Sequence, residues 1–137
     1  MELDVITGAI VDAAVRIHRE LGPGLLESVY EAVLARALQA RGLRVDQQLP
    51  VGLTYEGLTF EQGFRIDLMV EQRVIVEVKS RDRLAPVHTR QLLTYLRLCK
   101  LQVGFLLNFG AGTMKDGLKR IVFGLDRSSS PRLRVNR

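Results

Sequence analysis

One stretch, Val74-Ile75-Val76-Glu77-Val78-Lys79-Ser80, constrains this chain more than any other. Four of its first five residues are β-branched, which predicts a strand, and apolar side chains on both parities predict a strand covered on both faces. Glu77 and Lys79 are two residues apart, so both project from one face of that strand. Charges taken out of water are costly unless they are paired or bind a metal. Two readings are therefore open: a Glu77–Lys79 salt bridge on a half-exposed strand, or charged groups retained for chemistry.

The preceding run, Phe64-Arg65-Ile66-Asp67-Leu68-Met69-Val70, supplies a second carboxylate. Ile66, Leu68 and Val70 share one face by parity, as do Val74, Val76 and Val78. Matching these faces across a turn at Glu71-Gln72-Arg73 pairs Val70 with Val74, Leu68 with Val76 and Ile66 with Val78. A slip by one residue would mix charges into the apolar set. This register sets Asp67 opposite Glu77 and Arg65 opposite Lys79. Like charges directly opposed across strands repel. Two carboxylates in a largely apolar hairpin call for a compensating cation, and a divalent metal is the natural one.

At 137 residues the chain is large enough for one proper core, and no apolar run reaches the ~18 residues of a membrane helix. The acidic start Met1-Glu2-Leu3-Asp4 lacks the basic region of a secretory leader. One cysteine, Cys99, fits a reducing cytoplasm, and its leucine-rich setting predicts a buried structural thiol. The net charge of +5 favours a polyanionic partner, although four arginines fall in the last eleven residues. Residues 1–125 are expected to form a single domain and residues 126–137 a flexible basic tail.

Residues 4–21 carry Ile6, Ile10, Ala14, Ile17 and Leu21 at helical spacing, and Gly22-Pro23-Gly24 ends the helix. A second helix is predicted from Leu26 to Arg41, with Leu26, Val29/Tyr30, Val33/Leu34 and Ala37/Leu38 as its buried stripe. At its start Glu27 and Tyr30 share a face. Taken alone, Glu27 reads as an acid favoured by the helix dipole, and Tyr30 as a core aromatic with a bonded hydroxyl. From Leu43 the period changes to two, with a turn at Glu56-Gly57 and a bulge at Gly63 before the Asp67 strand. A third helix runs from Pro86 to Leu101, placing Gln91 and Tyr95 one turn apart with His88 on the same partly exposed rim. A buried strand at 102–108 and a last strand at 118–125 complete the reading: an α/β fold, a mixed sheet of about five strands with helices on both faces.

This order of elements carries Gly24, Glu27 and Tyr30 in the spacing Gly-x-x-Glu-x-x-Tyr, then Asp67, then Glu77-Val78-Lys79, then Gln91-Leu92-Leu93-Thr94-Tyr95. In these motifs the chain resembles the GxxExxY protein family within the PD-(D/E)xK nuclease superfamily. The last motif is similar to the Gln-x-x-x-Tyr of RecB-type exonucleases, and Ile66 stands where the superfamily name has proline. The resemblance implies a restriction-endonuclease-like αβββαβ core that hydrolyses phosphodiester bonds, of DNA above all. It implies Mg²⁺ or Mn²⁺ held by Asp67, Glu77 and the Val78 carbonyl, with Glu27 completing the shell directly or through water. Lys79 would orient or deprotonate the attacking water, and Gln91 and Tyr95 would position the phosphate backbone or the nucleophile. Nucleic acid is then the partner, with no membrane, and a homodimer is one way for so small a domain to embrace a duplex. The rival is a noncatalytic module that keeps this fold and binds nucleic acid or a protein.

Overall fold

A computed structural model describes residues 1–124 and 133–136 of the chain. Two helices open it, α1 (Leu3–Leu21) and α2 (Glu27–Ala40). The hairpin β1 (Val45–Tyr55) and β2 (Leu58–Val70) follows, then β3 (Val74–Lys79), α3 (Pro86–Cys99) and β4 (Val103–Asn108). A single turn, α4 (Met114–Gly117), leads to β5 (Leu118–Val122), and β6 (Leu133–Asn136) closes the chain. Among the described residues one sheet holds every strand, in the order β5-β4-β3-β2-β1-β6. Of these strand pairs β3–β4 is parallel, joined by α3 as crossover, and the others are antiparallel. The sheet is therefore mixed, as expected, with β6 as a sixth strand at its edge.

The sheet is covered on both faces, which is why β3 and β4 are buried at almost every position. On one face α1 and α2 pack Ile6, Ile10, Ile17, Tyr30 and Leu34 against Leu68, Val76, Val78 and Phe105. On the other, α3 packs Leu92, Leu96 and Cys99 against Ile66, Met69, Ile75 and Leu106. Burial of Cys99 agrees with the expected structural thiol. The hairpin turn at Glu56-Gly57 has φ of 47° and 82°, the positive pair a two-residue turn of this hand requires. The bulge at Gly63 is present: the β1–β2 register shifts between Val51 and Leu53. A Cβ on Gly63 would lie 2.4 Å from Leu53 Cδ2.

Four expectations need correction. Ile66 does not share a face with Leu68 and Val70, because it packs on the α3 side with Met69. The β1–β2 ladder omits the pair Gln48–Asp67, and Gln48 has φ of +48°, so the alternation of side chains breaks at that point. In α2 the buried positions are Tyr30, Leu34, Ala35 and Leu38, whereas Leu26, Val29 and Val33 are exposed. A helical stripe read to within one position left that choice open. His88 is buried and not on an exposed rim, its ring engaged at both nitrogens. Within the segment expected as a tail, Leu133–Asn136 pair with Gly52–Tyr55, satisfying the outer edge of β1. Residues 125–132 and 137 lie outside the described residues.

Candidate active site

The site grows from the place where β2 and β3 part. Their ladder runs Val70–Val74, Met69–Ile75, Leu68–Val76, the expected register, and stops there. Beyond it β2 stays with β1 through Leu49–Ile66 and Pro50–Arg65, while β3 stays with β4 through Lys79–Asn108. Arg65 thus faces no partner on β3, contrary to the pairing with Lys79. The sheet forks, and the two acids stand at the fork.

Side chains replace the missing ladder bonds. The Glu77 carboxylate accepts from the Asp67 N–H at 2.8 Å, and the Asp67 carboxylate accepts from the Val78 N–H at 2.9 Å. Each strand's acid is therefore bonded to the other strand's backbone, which fixes both carboxylates at the fork. In an extended strand a residue's N–H and C=O leave by the same edge, so the Val78 carbonyl is directed to the fork as well. Glu77 is buried, Asp67 and Lys79 half-buried. Burial, and next the charge of Asp67, push Glu77 up to about 8; its bond to the Asp67 N–H and the charge of Lys79 pull the other way. A carboxyl that retains its proton at neutral pH beside a second carboxylate side chain marks a place short of positive charge.

Lys79 does not supply that charge by contact, since among the described residues it forms no ion pair with Glu77. The salt-bridge reading of the Glu77–Lys79 pair is not the arrangement found.

Glu27 enters from α2. Gly24 has φ of +108°, a conformation that favours glycine, and starts the helix in the right direction. The Tyr30 hydroxyl donates to the Gly22 carbonyl at 2.5 Å and accepts from the Leu25 N–H at 3.1 Å, and its ring stacks on Phe109. Tyr30 is the core aromatic with a bonded hydroxyl, and it fastens the turn that presents Glu27. The Glu27 carboxylate accepts from the Ser80 N–H at 3.3 Å, while Ser80 Oγ donates to the Leu25 carbonyl. Glu27 therefore sits at the end of β3, two residues past Val78. Among the described residues no three of His, Cys, Asp and Glu are gathered to hold one ion.

From α3, Tyr95 stacks on Phe64 at 4.4 Å. Burial first, then the charges of Glu77 and Asp67, raise its hydroxyl above the ordinary value. Gln91 is exposed one turn earlier on the same helix. Two residues that the sequence reading passed over join the site. Gln48 Nε2 donates to Asp67 at 3.2 Å and to Glu31 at 2.6 Å. Glu31 is raised by burial and by Asp67, against the lowering effect of Gln48. Its position four residues after Glu27 on one helix face was the available signal; nothing in the sequence marks Gln48.

A family model described as the PD-(D/E)XK nuclease superfamily matches residues 4–121. The chain belongs to the PD-(D/E)XK nuclease superfamily. No curated protein and no solved structure matches it significantly. Nucleases of this superfamily generally use divalent metals, and the donors at the fork suit one. They are all oxygen, they include two carboxylates, and they are short of positive charge. No helix among the described residues is long and apolar enough to cross a membrane.

Proposed function

We propose that this chain is a Mg²⁺- or Mn²⁺-dependent nuclease of the GxxExxY type that hydrolyses phosphodiester bonds in DNA. The observation that carries the reading is the reciprocal bonding of Asp67 and Glu77 across the fork, which brings two carboxylates together at one place. Asp67, Glu77 and the Val78 carbonyl would hold the metal. Mg²⁺ suits so small a donor set, because it commonly keeps several waters and takes further ligands from phosphate. When bound, it supplies charge for the phosphate and lowers the pKa of coordinated water.

The protein's own part falls to groups around the pair. Lys79, on the face of Glu77, orients or deprotonates the attacking water and stabilises developing negative charge. Glu27, tied to the Ser80 N–H, acts on the shell through water. Tyr95 and Gln91 position the phosphate backbone. Such an enzyme works in the cytoplasm, in keeping with its single buried cysteine, and two copies could embrace a duplex.

One observation favours the noncatalytic module instead: Glu27 is not gathered with Asp67 and Glu77. A cleavage assay on linear, circular and single-stranded DNA, with and without Mg²⁺ or Mn²⁺, separates the two. The nuclease reading expects metal-dependent cleavage that Lys79→Ala abolishes. A wild-type protein that binds DNA but leaves every substrate intact would establish the module.

A further inference from the structure

Beyond Lys79 the chain enters a polar connection, yet its backbone is firmly gripped. Asn108, buried at the end of β4, accepts from the Arg81 N–H and donates to the Arg81 carbonyl, both at 2.9 Å. The same Asn108 oxygen accepts from the Gly110 N–H at 3.1 Å. Gly110 itself lies so close that a Cβ there would stand 2.3 Å from the Arg81 carbonyl oxygen. Solvated loops are rarely held this way. The side chain so placed is an exposed arginine that, among the described residues, pairs with no carboxylate.

Its neighbour is unusual. Arg81 Nη1 lies 2.9 Å from His88 Nε2, and His88 Nδ1 faces the Ala85 N–H at 3.0 Å. His88 is only 8% exposed. Burial, Lys79 and then Arg81 lower its pKa, against an opposing effect of Glu27, which keeps the ring neutral. A guanidinium only donates, and a neutral imidazole has a single accepting nitrogen. With donors facing both ring nitrogens, one of the two contacts must set donor against donor. An anionic oxygen at the Arg81–His88 contact removes that conflict, accepting from the guanidinium and from Nε2–H together.

We infer that Arg81 and His88 form a phosphate clamp beside Lys79, taking a backbone phosphate of the nucleic acid next to the one that is cleaved. The inference rests on the nuclease reading of the Asp67–Glu77 site and adds to it a subsite for substrate binding. Arginine suits this task because its fork can bond two phosphate oxygens at once.

The test is fluorescence anisotropy of a labelled DNA duplex with the full chain, in chelator so that nothing is cut, over a series of salt concentrations. For Arg81→Ala the slope of log affinity against log salt should be shallower by about 0.9, one phosphate contact. Arg81→Lys should keep the slope and lose affinity several-fold, since the charge stays and the fork is gone. His88→Gln should weaken binding without altering the slope. A merely structural Arg81 would change the melting temperature and leave the slope alone. Wild-type slope and affinity in folded Arg81→Ala would overturn the clamp and leave the nuclease reading standing. No duplex binding by the wild type at low salt, with no metal-dependent cleavage, would overturn both.

Discussion

At the scale of single residues, Glu77 and Lys79 answer to different tests. Glu77 is pushed from its ordinary 4.5 to about 8 in the folded protein. The folded state therefore keeps a proton that the unfolded chain has lost between these values, and stability falls as pH rises through that window. Urea unfolding of the metal-free protein should show a loss, on the order of a few kcal/mol, between pH 5 and pH 9. Glu77→Gln should remove most of this dependence and be the more stable protein at pH 9. A flat profile in wild type would mean that Glu77 is ionised and compensated already. Lys79 makes no ion pair among the described residues. Lys79→Ala should therefore shift metal-free stability by less than about 1 kcal/mol, where an orphaned buried partner would cost roughly 3–5 kcal/mol. Thermal melts of the two proteins decide between these values.

Among the elements, the turn between α1 and α2 carries the most testable geometry. The Tyr30 hydroxyl holds both Gly22 and Leu25, and Ser80 Oγ returns to Leu25. Tyr30→Phe keeps the stack on Phe109 but leaves the Gly22 carbonyl and the Leu25 N–H to find other partners. A loss of about 1–3 kcal/mol is expected. Because the turn also presents Glu27, cleavage should fall by more than the drop in folded population accounts for. Equal falls in activity and folded fraction would assign Tyr30 to stability alone. Several elements were legible in the sequence for concrete reasons. The β2–β3 register followed from Leu68, Val70, Val74 and Val76, since a slip would have buried charge. Ile66 breaks the pattern beside the place where the β1–β2 ladder omits Gln48, whose left-handed conformation a polar residue in an alternating run does not announce. In α2, Val29 and Val33 flank the buried Tyr30 and Leu34, and helical periodicity alone could not rank these neighbours.

The whole molecule explains why two acids can stand together at all. The fork exists because, past Leu68–Val76, β2 keeps to β1 while β3 keeps to β4. That Asp67 and Glu77 come together was legible; that the strand pairing would end before them, and each would bond the other strand's N–H, was not, since it depends on where the ladder ends. The strand Leu133–Asn136 was hidden too, because its reason lies in the distant outer edge of β1. The most direct measurement is calorimetric titration of the metal-free protein with Mn²⁺ at pH 7, repeated in buffers of different ionisation enthalpy. Binding at one site should release about one proton per ion, drawn from Glu77, and Asp67→Asn should weaken it at least tenfold. Absence of binding heat in wild type, with a melting temperature that the ion does not move, would contradict a metal site at the fork.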